Sequence, residues 1–202
     1  MKILCVSDLI DPLIYTNSIT QRYADVDIVL SAGDLPMDYL DFIISRLNKP
    51  LFFVMGNHHN STQEKHAAIN TDAKVCREPE LIIAGLGGCM RHSRGKNQFS
   101  DFQVYLRILK LFPALFFNRL LRGRYLDILL THAAPRGIHD REDKYHRGFK
   151  AFLWFMRVFK PRYLIHGHIH LYDLSGPRNT KYHNTHVINA FSHYIIDTAE
   201  YV

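Results

Sequence analysis

Apolar runs of three to five residues recur along this chain, and each one ends on a small polar cluster. Ile3-Leu4-Cys5-Val6 leads into Ser7-Asp8, and Ile28-Val29-Leu30 leads towards Gly33-Asp34. Residues 51–55 lead into Gly56-Asn57-His58, Ile128-Leu129-Leu130 into Thr131-His132, and Tyr163-Leu164-Ile165 towards Gly167-His168-Ile169-His170. Unbroken apolar runs of this length are what strands buried on both faces look like. Between them, residues 36–48 place Leu40, Ile43, Ile44 and Leu47 at helical spacing, and Lys49-Pro50 ends that helix. Residues 149–159 form a strongly apolar helix that stops before Pro161. Strands alternating with helices predict βα units and a largely parallel sheet through the first half.

Residues 81–84 read as another strand, with Gly85-Leu86-Gly87-Gly88 as a tight turn behind it. Those glycines serve backbone geometry in the simpler reading and phosphate contact through their amides in the sharper one. After Gly167 the pattern shortens. Residues 169–174, 181–182, 186–188 and 194–196 read as turn-separated strands of an antiparallel second sheet that closes the fold. Residues 101–125 mix Phe102, Tyr105, Phe112, Phe116 and Phe117 with Arg107, Lys110, Arg119, Arg122 and Arg124. Pro113 is expected to split them into two helices and Gly123 to end the second, giving an amphipathic hairpin packed on the core with its cations in water. The charges and the proline exclude a membrane span. The sharper alternative makes this hairpin a lid, with an apolar face for the lipid or aromatic part of a substrate.

No repeat, linker or low-complexity tract divides the 202 residues, so one domain spanning 1–202 is expected, with the hairpin at about 101–125 as an insertion. With 47% hydrophobic residues the chain is well outside the disordered class. Cys5, Cys76 and Cys89 are scattered and odd in number, which suits reduced thiols and a cytoplasmic location. The first strand starts at Lys2, leaving no room for a leader peptide. A net charge of +6 draws anions of any kind, but no concentrated basic stripe marks nucleic acid as a partner.

The polar clusters carry the chemistry. Asp, Asn and His delivered to the ends of buried strands describe a metal site at the rim of an α/β fold. In order and spacing the five clusters resemble those of the calcineurin-like metallophosphoesterase superfamily, from Asp8 to His170. The resemblance implies a four-layer αββα sandwich of two mixed β-sheets flanked by helices. It also implies a metal-dependent phosphohydrolase that cleaves a phosphomonoester or phosphodiester, such as a nucleotide, by attack of a metal-bridging hydroxide. By match to the family's motifs, Asp34 bridges two divalent ions, Asp8 and His170 bind the first, and Asn57, His132 and His168 bind the second. Mixed imidazole and oxygen ligands suit manganese, iron, zinc or nickel. His58 is then the general acid for the leaving group, a role that contributes about 10²–10⁴-fold. Arg136 and Arg91 are candidate cations for the substrate phosphate.

Three positions depart from the family pattern. Ile10 stands where the family's first motif has its histidine, which weakens the first metal site, and Asp11 is the only nearby replacement. His59 stands where many relatives have Asp, and Met37 where many have another, with Asp38 one step on. The remaining histidines, His66, His92, His139, His146, His183, His186 and His193, read as ordinary core or surface residues, and His166 as a hydrogen-bonded core imidazole. Two other functions stay open. The chain is a protein-binding module built on an inactive site, as the similar retromer scaffold subunit is held to be, or a pyrophosphatase of nucleotide-linked lipids. The expected partner is a small phosphorylated substrate, with peripheral membrane contact left open by the 101–125 segment.

Overall fold

The structure, a computed structural model, describes residues 1–58, 66–171 and 177–199. In the first sheet β1 (Lys2–Ser7), β2 (Ile28–Ser31), β3 (Leu51–Phe53) and β4 (Ile69–Asn70) run parallel, and β13 (Ser192–Asp197) pairs antiparallel with β1. The second sheet is built from β5 (Val75–Arg77), β6 (Ile82–Leu86), β9 (Ile128–Thr131), β10 (Tyr163–His166), β11 (Asn179–Tyr182) and β12 (Thr185–Asn189). Its order is β11-β12-β10-β9-β6-β5, parallel in the middle four and antiparallel at both edges. A short ladder of β7 (Cys89–Met90) and β8 (Gln98–Phe99) lies beside it.

The central strands are covered on both faces, which is why their sequences are runs and not alternations. Ile3, Cys5, Ile28, Leu30 and Phe52 of the first sheet meet Ile83, Ile128, Leu130, Ile165 and Ile188 of the second in one buried layer. The alternate residues Leu4, Val6, Val29 and Phe53 face outward onto α1 (Ile19–Arg22) and α2 (Met37–Leu47). On the far side Ile82, Leu129, Leu164 and Val187 pack under α3 (Asp101–Arg122) and α4 (Lys150–Phe159). Each such side chain, fully withdrawn from water, contributes about 1.5–3 kcal/mol. The layers are helix, sheet, sheet, helix, as expected.

Two expectations fail. The residues after Gly167 do not form a sheet of their own: β11 and β12 extend the second sheet, while β13 closes the free edge of the first. Residues 169–171 are not strand, and 172–174 lie outside the described residues, as does His59. Strand length and turn chemistry mark a strand without saying which edge it will join, and here both sheets had an edge to cover.

The second failure is the hairpin. Residues 101–122 form one continuous helix with Pro113 inside it. Ser100 and Gln103 make a reciprocal capping box at its start, and Gly123 ends it in the left-handed region at φ 71°. Val104, Ile108, Leu111 and Leu115 form its buried stripe, whereas Pro113 and Leu109, whose carbonyl loses its partner, face water. Solvent therefore hydrates the orphaned carbonyl, and packing of the inner stripe holds the helix through the proline. The helix lies along the second sheet and against α4, so it is not a lid over the strand ends.

Candidate metal centre

The carboxyl ends of the two sheets converge at one rim, and the close approach depends on glycine. Gly33 takes φ 101°, and a Cβ on it would lie 2.8 Å from His132 Nδ1. A Cβ on Gly56 would overlap the Asp34 carboxylate, and one on Gly167 the side chains of Ser7 and Asp8. Asp8, Asp34 and His168 themselves turn sharply off their strands at φ 63°, 54° and 65°. Left-handed backbone is uncommon outside glycine, though Asp and His tolerate it better than most, and such strain gathers at functional sites.

What this geometry assembles is a cluster of electron-pair donors. Asp34 Oδ2 lies 3.2 Å and Asn57 Oδ1 3.1 Å from His132 Nε2. The other nitrogen of His132 is 2.8 Å from the Ala32 carbonyl, which can only accept. Nδ1 therefore carries the proton and Nε2 presents a lone pair to Asp34 and Asn57. His168 is arranged in the opposite sense: its Nε2 donates to the Tyr145 carbonyl at 2.8 Å, which leaves Nδ1 for the site. One ligand atom each from Asp34, His132 and His168 falls within 4.8 Å of the others. Neutral imidazoles, an amide oxygen and a carboxylate facing one another lack any donor of their own. They fit a cation.

The electrostatics agree. His132 is wholly buried, which by itself disfavours its charged form, yet its hydrogen bond to Asp34 and the Asp8 and Asp34 charges raise its pKa above 6.5. The same two carboxylates that favour a positive charge on this ring would favour a cation beside it. Burial would likewise raise Asp34, but His132 and the His58 backbone N–H, 2.9 Å from Oδ1, hold it at about 2. His168 is pushed down to about 3, chiefly by burial and then by the His132 charge, so it stays neutral and able to ligate.

The first half of the expected centre is thinner. Asp8 is buried and its Oδ2 accepts the His168 backbone N–H at 2.8 Å, while Oδ1 is 3.9 Å from His170 Nε2. Burial raises the Asp8 pKa, and the nearby Asp34 charge adds to this. The His170 side chain is 53% exposed, so that half of the centre is open to water. Ile10 is 40% exposed. Asp11 does not replace the missing ligand. Its carboxylate accepts the Leu13 backbone N–H at 2.8 Å, His193 Nδ1 at 2.6 Å and the Ser192 hydroxyl.

The other sequence-derived candidates divide. His58 sits exposed at the rim with Asp34 and His92 as electrostatic neighbours, whereas Asp38 is exposed in the first turn of α2. Arg136 does not face the centre: Asp140 at 2.8 Å and Glu142 at 2.7 Å occupy its guanidinium within its own loop. Arg91 donates to Gln103 at 2.7 Å at the start of α3. The Gly87 and Gly88 amides donate to Asp72 Oδ1 (2.6 Å) and the Met55 carbonyl (2.8 Å), so they are not free for a phosphate. His166 is a core imidazole bonded at both nitrogens, to His139 and to the Gly167 carbonyl.

Sequence reasoning passed over one wall of the site. The His146 ring stands 5.3 Å from that of His168 and is paired with Asp143 at 2.9 Å. Beside it the His92 and Tyr145 rings meet at 4.9 Å, and Arg141 donates to the His170 carbonyl at 2.9 Å. Histidines in charged loops carry no sequence signal of their own, because only the fold decides which loop overhangs the strand ends.

A family model described as calcineurin-like phosphoesterase matches residues 1–172. The chain belongs to that family. No curated protein matches the sequence of this chain. Among solved structures, one crystal structure superposes with TM-score 0.71 at 15% identity, covering 98% of this chain and 95% of that one. The crystal structure of TT1561 from Thermus thermophilus superposes with TM-score 0.65 at 13% identity, covering 100% of this chain and 96% of that one. At such identities the likeness is one of fold.

Proposed function

We propose that this phosphoesterase hydrolyses a small phosphomonoester or phosphodiester with divalent metal bound at the strand-end cluster. The observation that carries the reading is the facing of Asp34, Asn57 and His132 lone pairs at 3.1–3.2 Å, with His168 completing the set. A divalent ion held there supplies Lewis-acid chemistry: it neutralises charge on the phosphoryl oxygens and lowers the pKa of the attacking water. Asp34, Asn57, His132 and His168 form the tighter site, for which manganese, iron, zinc or nickel fits the donor set. Asp8 and His170, sharing Asp34, would form the weaker site, the one that lacks a ligand at Ile10. Asn57 adds an oxygen donor without negative charge to repel the substrate. His58, exposed at the rim, delivers a proton to the departing alkoxide.

The same weak half-site favours a second reading, in which the fold serves as a docking module and hydrolyses nothing. Turnover of a chromogenic phosphodiester and its monoester with manganese separates the two. Wild-type protein is expected to turn over at least one of them, and Asp34→Ala to lose turnover and metal together. An inert wild type that binds manganese at the stated cluster would favour the docking module.

A further inference from the structure

α3 is apolar on two opposite sides. Its inner stripe is buried, as described above. At 100° per residue the stripe of Phe102, Leu106, Leu109, Phe116, Phe117 and Leu120 lies diametrically opposite, with Pro113 in its midst. Each of these six is 45–69% exposed. A helix that is apolar on both sides belongs between two apolar phases, and the described residues supply only one of them.

The charges around the stripe say what the second phase is. Among the described residues, Lys110 and Arg119 flank the stripe on its two sides and are not tied to a carboxylate, whereas Arg107 is bound to Asp72 and Arg122 lies in line with Leu115. The single acid of α3, Asp101, lies at its first turn, where it accepts the Ala151 backbone N–H. The neighbouring α4 has Lys150 and Arg157 and no acid at all. Where the two helices end, a cleft of about 330 Å³ is lined by Arg119, Lys160 and Arg124, the last also paired with Asp127. Aromatic and leucine side chains flanked by unopposed cations match the interface of an anionic bilayer, in which apolar groups enter the acyl boundary and cations meet phosphates. A second copy docked through the same face would set these cations against one another with no carboxylate of α3 or α4 between. Among the described residues no helix is long and apolar enough to span a membrane, so the contact is with the surface.

We propose that the outer face of α3 docks this protein on anionic lipid surfaces. The inference stands independently of the hydrolytic reading. Its test is co-sedimentation with vesicles of phosphatidylcholine alone and of phosphatidylcholine mixed with phosphatidylglycerol, at low and high salt. Binding to the mixed vesicles is expected to exceed that to the neutral ones by more than about tenfold and to weaken with salt. Lys110→Glu with Arg119→Glu should remove that preference. Phe117→Asp with Leu120→Asp should abolish binding, with circular dichroism confirming that both variants are folded. The salt dependence of the wild type tests the idea without any variant. Absence of binding at low salt, or equal binding to both vesicle types, would overturn it. So would a concentration-dependent dimer in sedimentation velocity that Phe117→Asp dissolves, because that assigns the face to a second copy.

Discussion

At the scale of single residues, the two metal positions differ in how firmly their ligands are held. His132 and His168 each have one nitrogen fixed by a backbone carbonyl, which sets ring orientation and leaves the other nitrogen as donor. His170 is half in water and has only Asp8 near it among the described carboxylates. Restoring the lost ligand should therefore act on the weak position alone. Ile10→His is expected to tighten the second equivalent of manganese in calorimetric titration and to leave the first unchanged. His58 differs from all of these because its contact with the cluster is through the backbone N–H to Asp34. His58→Ala should lower kcat by about 10²–10⁴-fold while bound metal, read by elemental analysis, stays constant. Parallel loss of metal would show that its imidazole ligates. The strand-end ligands were legible in the sequence because motif, glycine and apolar run occur side by side. The diversion of Asp11 was not, since its partners Ser192 and His193 arrive from the far end of the chain.

At the scale of elements, α3 shows how packing can override a local signal. Proline ordinarily costs a helix interior about 3 kcal/mol relative to alanine. Pro113 is accommodated because it lies on the water-facing side, opposite Ile108, Leu111 and Leu115. Pro113→Ala should consequently stabilise the protein by about 1–3 kcal/mol in urea unfolding, with no change in turnover. A destabilised variant would mean that the proline ring makes a contact the helix needs. The loop that carries His139, Tyr145 and His146 is the opposite case. Its composition reads as exposed and charged, yet the Tyr145 carbonyl and the His146 ring stand against His168. A buried strand can be read from its own residues, but the surface over which a loop lies depends on what the rest of the chain has built there.

At the scale of the whole molecule, the metal cluster links the two sheets, since Asp8, Asp34 and Asn57 come from the first and His132 and His168 from the second. A cation bound to both should stabilise their packing. At a free concentration 100 times its Kd, the gain is about 2.7 kcal/mol, or roughly 5–10 °C in Tm for a chain of this size. The gain should depend on pH in a definite direction. The proton on His132 stabilises the metal-free fold below about pH 6.5, and that contribution disappears as pH rises through its raised pKa. Metal must displace this proton, so the manganese-induced shift in Tm should grow between about pH 6 and 8. A shift that is flat across that range would mean His132 is not a ligand. The sequence by itself determined the buried strands, the helices beside them and the residue types at the strand ends, because those follow from burial periodicity and from local motif chemistry. Only the tertiary structure decided that β13 joins the first sheet, that α3 runs straight through its proline, and that Arg136 turns to Asp140 and Glu142. Each of those outcomes depends on competition among partners distant in the chain, and no local stretch of residues encodes which partner is nearest.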